Sequence, residues 1–360
     1  MNDSRVSPRL IRVLVTDDSA FMRTALTRMI ESDPELRVSD TAQTGAEALQ
    51  KISVNPPDVV TLDVEMPGLD GLETLRRIMA ECPRPVIMVS SLTQEGAETT
   101  LEALDIGAFD YVPKQLSYVS LDIINIRDDL IAKIRAAAEV GKRIHKKPGV
   151  ASAASPTSAP STFTIVPEIV AIGTSTGGPK ALQQILPSLP ADLPVPVLIV
   201  QHMPPGFTGP FARRLNNLCR ISVREATQGD SVSAGCVYIA PAGRQMTILR
   251  ATSASPRIEL SDFPENALHK PSVDVMMCSV AGIFRDRCMG IIMTGMGADG
   301  LEGMRAIANA GGLTVGQDEH SCTVYGMPRC CAEAGILRRV VPLNDLPPVL
   351  LQATRYRKHA

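Results

Sequence analysis

Residues 170–179 read VAIGTSTGGP, an apolar run that ends in a glycine-rich turn and then a proline. A short apolar run bounded by turn residues is typical of a buried strand. Pro179 suits the first position of a helix, because its missing N–H costs nothing there. The segment therefore predicts a strand, a tight turn and a helix, which together form the repeating unit of folds with a parallel sheet.

The same alternation of apolar runs and amphipathic stretches extends toward the N-terminus. Strands are predicted there at 11–15, 38–40, 59–62, 86–89 and 110–112. Helices are predicted at 20–31, 45–53, 71–81, 95–107 and 122–140. Five strands with intervening helices predict a flavodoxin-like, doubly wound parallel sheet.

The alternation also extends toward the C-terminus. Strands are predicted there at 169–172, 197–200, 290–293 and 312–316, and helices at 179–186, 207–218 and 299–310. Three further runs, at 237–240, 245–249 and 257–260, are more typical of antiparallel strands in a side ribbon. We therefore expect a second doubly wound α/β domain, with a mostly parallel sheet and a small antiparallel β insertion.

A chain of 360 residues is long enough for two domains, each with its own core. Between them, residues 148–162 are mostly Ala, Ser, Pro and Thr. Such a stretch buries too little apolar area to offset its ordering entropy, so it indicates a flexible linker. The expected organisation is a first domain at 1–136, a linker at 137–164 and a second domain at 165–360.

Composition excludes several classes of function. The formal net charge of −2 gives no reason to expect a nucleic-acid or membrane-surface partner. No apolar run is long enough to span a membrane, and the first ten residues are too polar for a signal peptide, so a cytoplasmic protein is expected. The eight cysteines form no C-x-x-C pair and are expected to be reduced. The five histidines lack the spacing of a zinc site.

Three carboxylates follow predicted strands of the first half. Asp17 and Asp18 come directly after the first strand, and Asp63 follows the third. Because the carboxyl ends of parallel strands meet at one edge of a sheet, these side chains should cluster. Mg²⁺ suits such oxygen ligands, and one carboxylate could attack a phosphoryl donor as a nucleophile. Ser90 and Lys114 also follow strands and could bond to phosphoryl oxygens.

The first half resembles a response-regulator receiver domain over about residues 10–115. The matching segments are VLVTDDSAFMR, VVTLDVEMPGLDG, VIMVSSLT and GAFDYVPK. The resemblance implies that Asp63 is phosphorylated by a histidine kinase and that Asp17 and Asp18 serve Mg²⁺. It also implies that Ser90 is the switch hydroxyl, Tyr111 the mobile aromatic residue and Lys114 the site lysine. One departure is Gln115, because receivers usually carry proline after this lysine.

Three further polar residues follow predicted strands of the second half, namely Ser175, His202 and Asp299. If those strands are parallel neighbours, all three side chains emerge at one edge of the sheet. Ser175 could then attack a carbonyl, His202 could remove its proton, and Asp299 could orient the imidazole. The order along the chain and the G-T-S-T-G-G sequence both differ from those of α/β-hydrolases.

The second half is similar to the catalytic domain of the chemotaxis protein-glutamate methylesterases, over about residues 169–330. The matching segments are IGTSTGGP, QHMPPGFTGPFARRLN, YIAPAG, KPSVDVM, TGMGADG and GMPR. The resemblance implies hydrolysis of γ-glutamyl methyl esters on chemoreceptor helices, with release of methanol, and deamidation of particular receptor glutamines. Phosphorylation of the receiver would activate this serine-dependent reaction, which needs no cofactor.

The same resemblance implies roles for individual residues of the second half. Ser175 would be the nucleophile, His202 the base and Asp299 its orienting carboxylate. The Met296 N–H would help to bind the oxyanion, and Thr176 lies beside the nucleophile. Two departures, Lys270 and His320, lie outside the proposed triad.

Three other functions stay open from the residues alone. A receiver fused to a DNA-binding domain would need a basic recognition helix, and residues 165–360 show no compact helical module with one. A nucleotide-binding regulator could use residues 173–179 as a phosphate cradle, although they do not match G-x-G-x-x-G. A scaffold that binds receptors without turnover would keep its function when Ser175 is replaced.

Overall fold

The computed structural model describes residues 10–114, 122–145, 165–249 and 255–357. The chain divides into two compact units, Met1–Ala154 and Ser155–Ala360. Residues 146–164 of the predicted linker, and Gln115, lie outside the described residues. Within the described ranges, no helix has both the length and the apolar content that crossing a membrane requires.

In the part of the first unit that the structure describes, five strands form a parallel sheet. They are β1 (Ile11–Thr16), β2 (Leu36–Ala42), β3 (Val59–Asp63), β4 (Val86–Ser90) and β5 (Asp110–Pro113). The sheet order is β2-β1-β3-β4-β5, and every pair is parallel. This is the doubly wound sheet that the sequence predicted, so that part of the fold prediction is confirmed.

Helices connect these strands and begin at polar caps. They are α1 (Ala20–Glu31), α2 (Gly45–Val54), α3 (Gly71–Glu81), α4 (Gln94–Ile106) and α5 (Asp122–His145). The first four begin after a side chain that accepts an N–H from the first turn, namely Ser19, Thr44, Asp70 and Thr93. Each such cap contributes about 1 kcal/mol to helix stability. Helix α5 runs to His145, five residues beyond its predicted end.

The described residues of the second unit form nine strands. They are β6 (Ile169–Thr174), β7 (Val197–Gln201), β8 (Ser222–Glu225), β9 (Cys236–Ile239), β10 (Gln245–Leu249), β11 (Arg257–Ser261), β12 (Cys288–Ile292), β13 (Leu313–Gln317) and β14 (Arg339–Val341). Seven of them form one sheet in the order β14-β13-β12-β6-β7-β9-β8, in which every pair is parallel. Strands β10 and β11 pair antiparallel as a separate ribbon. The predicted α/β class with a small antiparallel insertion is confirmed.

The helices of the second unit connect these strands. They are α6 (Gly178–Ile185), α7 (Thr208–Leu218), α8 (Val273–Phe284), α9 (Leu301–Asn309), α10 (Met327–Glu333) and α11 (Leu346–Ala353). Helix α8 was not predicted. Ser272 caps its first turn by accepting the N–H of Val275.

One strand lies elsewhere than predicted. Residues 237–240 were expected in the antiparallel ribbon, but β9 lies inside the main sheet and pairs parallel with both β7 and β8. Val237, Tyr238 and Ile239 are all buried, so the run lacks the alternation that marks a strand with one exposed face. Periodicity alone therefore could not assign its partner.

The centre of the seven-stranded sheet positions the site. Strand β6 lies between β7 and β12, with Thr174 opposite Gln201 and Gly173 opposite Ile292. All residues of these three strands are buried, and burying each Val, Leu or Ile contributes about 1.5–3 kcal/mol. Because the strands are parallel and in register, the loops that follow them meet at one edge of the sheet.

Candidate functional sites

Ser175 and His202 follow strand residues that face each other across the sheet. The backbone N–H of His202 donates to the carbonyl oxygen of Thr174 at 3.2 Å. The N–H of Ser175 donates to the carbonyl oxygen of Thr294, just beyond β12, at 3.0 Å. The buried amide of Gln201 donates to the carbonyl oxygens of both Ser175 and His202, each at 3.0 Å. The backbones of the three loops are therefore held together directly.

The turn after Ser175 requires glycine. Gly177 has a φ of +76°, and a Cβ there would lie 2.4 Å from the side chain of Thr323. Both the left-handed backbone and the close approach exclude larger residues. Ser175 is half-buried at this turn, one residue before the buried Thr176. The turn thus presents a hydroxyl at the edge of the sheet, immediately before α6.

His202 and Asp299 form a direct pair. Nε2 of His202 lies 2.7 Å from Oδ2 of Asp299, and the two side chains are 12% and 9% exposed. Asp299 accepts three more hydrogen bonds at the start of α8: from the Ser272 hydroxyl at 2.8 Å, the Val273 N–H at 2.8 Å and the Asp274 N–H at 3.0 Å. The partial positive charge at the N-terminus of α8 also favours the charged form of Asp299.

These donors decide the charge of Asp299. Burial alone would raise its pKa, because it disfavours the charged form. The hydrogen bond and charge of His202, together with the N–H groups of Asp274 and Val273, outweigh burial and hold the pKa of Asp299 well below its ordinary value. The carboxylate is therefore anionic at neutral pH and can stabilise a positive charge on the imidazole.

Ser175 follows the strand next to that of His202, and its hydroxyl is not bonded to the pair. Within residues 165–249 and 255–357, no hydrogen bond joins the hydroxyl to the His202 ring. Catalytic hydrogen bonds are often long in free enzymes and tighten when substrate binds. The structure thus brings His202 and Asp299 into contact and places Ser175 at the neighbouring strand end.

The loop that contains Met296 passes against the serine. A Cβ on Gly295 would lie 2.9 Å from Cβ of Ser175, so only glycine allows this approach. The hydroxyl of Thr294 donates to the carbonyl of Thr176 at 2.9 Å. The N–H of the half-buried Met296 donates to no other described residue. The oxyanion role of Met296 stays a prediction.

Two residues of this site were missed in the sequence. The His269 ring stacks on His202, with centroids 4.0 Å apart and an angle of 18° between the planes. Ser272 donates to Asp299. A serine followed by an acidic residue signals a helix start, and this signal at 272–274 could have revealed α8. Of the two departures, Lys270 is half-buried between these residues, and His320 is exposed.

The acidic residues of the first unit also cluster. Asp17 and Asp63 are fully buried and Asp18 is exposed, and one carboxylate oxygen from each lies within 4.8 Å of the others. Nζ of Lys114 lies 2.6 Å from Asp63 and 3.4 Å from Asp17. Three carboxylates around a single ammonium leave negative charge that a divalent cation could neutralise, so the residues fit a Mg²⁺ site.

Burial controls the pKa of these carboxyls. It raises the pKa of Asp63 to about 6, with Asp17 adding repulsion and Lys114 opposing both. Burial also raises the pKa of Asp17, against the N–H of Ser19 and the charge of Lys114. The cluster therefore carries electrostatic strain that an added cation would relieve.

The other two predicted receiver residues are buried near this cluster. The Ser90 hydroxyl lies 3.3 Å from the Gly96 carbonyl oxygen and accepts from the Thr100 hydroxyl at 2.7 Å, so it bonds to α4. Tyr111 is 4% exposed, and Nζ of Lys133 lies 5.4 Å from its ring centroid. Lys133 also donates to the Tyr111 carbonyl at 2.7 Å. Helix α5 is thus tied to the strand that carries the aromatic residue.

Comparisons with known proteins agree with both halves. The family model described as CheB methylesterase matches residues 170–350, and the response regulator receiver domain model matches residues 13–123. The chain is 47% identical to a protein-glutamate methylesterase/protein-glutamine glutaminase 2 of Nitratidesulfovibrio vulgaris, covering 95% of this chain and 99% of the relative. It is 44% identical to a protein-glutamate methylesterase/protein-glutamine glutaminase of Pyrococcus horikoshii, covering 96% and 94%.

A solved structure is similar to the second unit. It is the crystal structure of the catalytic domain of Thermotoga maritima CheB methylesterase, at 36% sequence identity and a TM-score of 0.50. The match covers 52% of this chain and 99% of that structure.

Proposed function

Because the chain belongs to the CheB methylesterase family, we propose that it is a protein-glutamate methylesterase and protein-glutamine glutaminase activated by phosphorylation of its receiver domain. Both family resemblances drawn from the motifs are confirmed. The proposed substrates are γ-glutamyl methyl esters and particular glutamines on the cytoplasmic helices of chemoreceptors. The products are glutamate side chains, with methanol from the esters and ammonia from the amides.

One observation carries the catalytic half of the proposal. The His202–Asp299 pair, at 2.7 Å, lies at the strand end next to Ser175. Asp299 is hydrogen-bonded to Nε2 of the His202 imidazole, which leaves Nδ1 to take a proton. A serine, a histidine and a carboxylate at neighbouring strand ends are the residue types that activate a hydroxyl nucleophile.

The reaction follows from this arrangement. Oγ of Ser175 attacks the ester carbonyl carbon while His202 takes the hydroxyl proton. The carbonyl oxygen becomes an oxyanion that accepts from the Met296 N–H. When the C–O bond to the methoxy group breaks, His202 returns the proton and methanol leaves. Water, deprotonated by His202, then attacks the glutamyl ester of Ser175, and its collapse frees the carboxylate and restores the hydroxyl.

Asp299 stabilises the charged stage of this cycle. His202 carries a positive charge while it holds the proton, and the carboxylate beside it is anionic because His202 and the N–H groups of Asp274 and Val273 lower its pKa despite burial. Thr176 supports the turn through its backbone. We propose that the hydrolytic reaction needs no cofactor, since residues of the chain supply the nucleophile, the base and the oxyanion donor.

The regulatory half of the proposal rests on the acidic cluster. In a receiver of residues 1–136, Asp63 would accept a phosphoryl group from a histidine kinase, and Lys114 would bind its oxygens. Mg²⁺ held by Asp17, Asp18 and Asp63 would supply positive charge that screens the phosphoryl group from the carboxylates. Ser90 and Tyr111 would respond to the added charge, and the linker of residues 137–164 would join the receiver to a catalytic domain of residues 165–360.

Release of methanol and ammonia from purified methylated chemoreceptor tests the proposal. Ser175→Ala should abolish both products, whereas the matched control Ser233→Ala, at an exposed serine of the same unit, should release them at the wild-type rate. Asp63→Asn should keep basal release and lose the increase caused by a phosphodonor, whereas Asp128→Asn on α5 should keep that increase. Equal methanol release by Ser175→Ala and wild type would contradict the catalytic half.

A further inference from the structure

A short segment outside the Ser175, His202 and Asp299 loops contacts two of these three residues. Residues 269–272 precede α8, and the His269 ring stacks on His202 at a centroid distance of 4.0 Å. Three residues later, the Ser272 hydroxyl donates to Asp299 at 2.8 Å. One end of the segment thus touches the base, and the other end touches its orienting carboxylate.

Both ends of this segment are held by a single buried side chain. Gln245, the first residue of β10, is fully buried. Its Nε2 donates to the carbonyl oxygen of His269 at 2.8 Å, and its Oε1 accepts the N–H of Ser272 at 2.8 Å. A third bond runs from the Gly243 N–H to the Lys270 carbonyl at 2.9 Å. Gln245 of the ribbon and the loop that precedes it therefore fix the segment at three points.

This arrangement constrains the imidazole in two directions. Asp299 fixes the edge of the His202 ring through Nε2, and the flat face of His269 opposes a tilt of the ring out of its plane. Stacked aromatic rings favour each other by about 0.5–1.5 kcal/mol beyond the area that they bury. An imidazole that moves by about 1 Å from its productive position costs on the order of 100-fold in rate.

We propose that Gln245 and His269 are positioning residues, and that the segment 269–272 aligns the His202–Asp299 pair for proton transfer. The proposal rests on the proposed hydrolase function. His269 acts through the face of His202, and Gln245 acts through both ends of the segment. Neither residue exchanges a proton with the substrate in this account.

Substitutions at His269 test the stacking directly, because this half-buried ring can be changed without opening the core. We expect His269→Ala to lower kcat for methanol release by about 10- to 100-fold and to leave KM within about twofold. His269→Phe keeps a flat ring and should restore kcat to within about fivefold of wild type. An unchanged kcat in His269→Ala, a loss confined to KM, or a Phe variant as slow as the Ala variant would overturn the proposal.

A double-variant cycle tests whether Gln245 acts through the same segment. Gln245→Met removes both hydrogen bonds at similar side-chain length and should lower kcat with little change in KM. Combined with His269→Ala, it should lose little beyond the larger single effect, because both substitutions release one segment. Independent, additive losses would contradict this coupling. Thr247→Val, in the same strand, controls for disturbance of the ribbon and should keep the wild-type kcat.

The two proposals fail in different ways. If wild-type protein releases no methanol from methylated receptor, the hydrolase function is wrong. If wild type is active, Ser175→Ala is inactive and His269→Ala equals wild type, the hydrolase function stands and the positioning proposal is wrong. Thermal unfolding of each variant is recorded alongside, so that kcat is compared only among folded proteins.

Discussion

Asp63 and Asp299 are both buried carboxylates near the ends of parallel strands, yet their pKa values move in opposite directions. Burial raises the pKa of Asp63 to about 6, because one ammonium and one N–H do not offset the loss of water and the charge of Asp17. The hydrogen bond and charge of His202 and two backbone N–H groups hold the pKa of Asp299 well below its ordinary value despite burial. Both carboxylates lose water, so the difference comes from their hydrogen-bond donors and from the sign of the neighbouring charge, Asp17 at one site and His202 at the other.

The difference matches the two proposed roles. Asp63, which is proposed to accept a phosphoryl group beside a cation, receives too little positive charge from the protein to offset its burial. A carboxylate that must stabilise an imidazolium in every catalytic cycle has its partners built into α8 and the loop of His202. One site is complete within the chain, and the other is completed by what binds to it.

The largest effect is predicted for a substitution that removes the charge of Asp299. Asp299→Asn keeps the shape but can present an N–H to His202, which favours the wrong tautomer, and the imidazolium loses its counter-charge. We expect kcat for methanol release to fall by about 10⁴-fold. A stopped assay of methanol with wild type and variant measures this. A fall of less than about tenfold would break the contrast with Asp63, since the donors around Asp299 would then serve no catalytic purpose.

The next effect concerns stability and pH at Asp63. Between its ordinary value of 3.8 and about 6, the folded receiver holds a proton that the unfolded chain has lost. The free energy of unfolding therefore falls as pH rises through this window, by about 3 kcal/mol in total. Asp63→Asn should remove the part of this slope that Asp63 contributes, while Asp17, whose pKa is also raised by burial, keeps its own. For Asp299, with its lowered pKa, stability is instead lost only as pH falls below 3.8.

Hydrogen exchange of the full-length protein, with divalent cations chelated, separates the two carboxylates. Amides of β3 should lose protection between about pH 4 and 6 in wild type relative to Asp63→Asn, once intrinsic exchange rates are corrected. Amides of β12 should show no matching difference between wild type and Asp299→Asn over that range. The same pH dependence of protection in β3 and β12 would contradict the comparison.

The smallest effect is predicted for the loss of one donor to Asp299, the Ser272 hydroxyl. Ser272→Ala removes one hydrogen bond to Asp299 and the cap of α8. We expect the second unit to lose about 1–2 kcal/mol of unfolding free energy. Urea unfolding followed at α8 measures this loss. Ser272→Thr keeps a hydroxyl and serves as the matched control, and an equal loss in both variants would argue against the hydrogen bond as the cause.

Much of this architecture could be predicted from sequence because it depends on local pattern. Strands such as 59–62 are short apolar runs that end in a polar residue, and α1 and α3 have capped, periodic sequences with the predicted bounds. Parallel strands then bring their following residues to one edge, which is why Asp17 and Asp63 could be paired in advance. The same rule placed Ser175 beside His202.

Other features depend on contacts between distant residues and could not be predicted from local pattern. The placement of β9 in the main sheet reflects its pairing with β7 and β8, which its four residues do not encode. The stacking of His269 on His202 joins positions far apart in sequence, through a segment fixed by Gln245. The start of α8 is different, because its serine cap at 272 is a local signal; what that signal does not give is that the helix start donates to Asp299.

The central claim is that Ser175 becomes esterified during turnover with the help of the His202–Asp299 pair. Rapid acid quench of the protein with methylated receptor peptide, followed by mass spectrometry of the active-site peptide, tests it most directly. A glutamyl ester should form on Ser175 as methanol is released and should be absent from Ser175→Ala. Methanol release that continues in Ser175→Ala, with no ester on the wild-type serine, would contradict it.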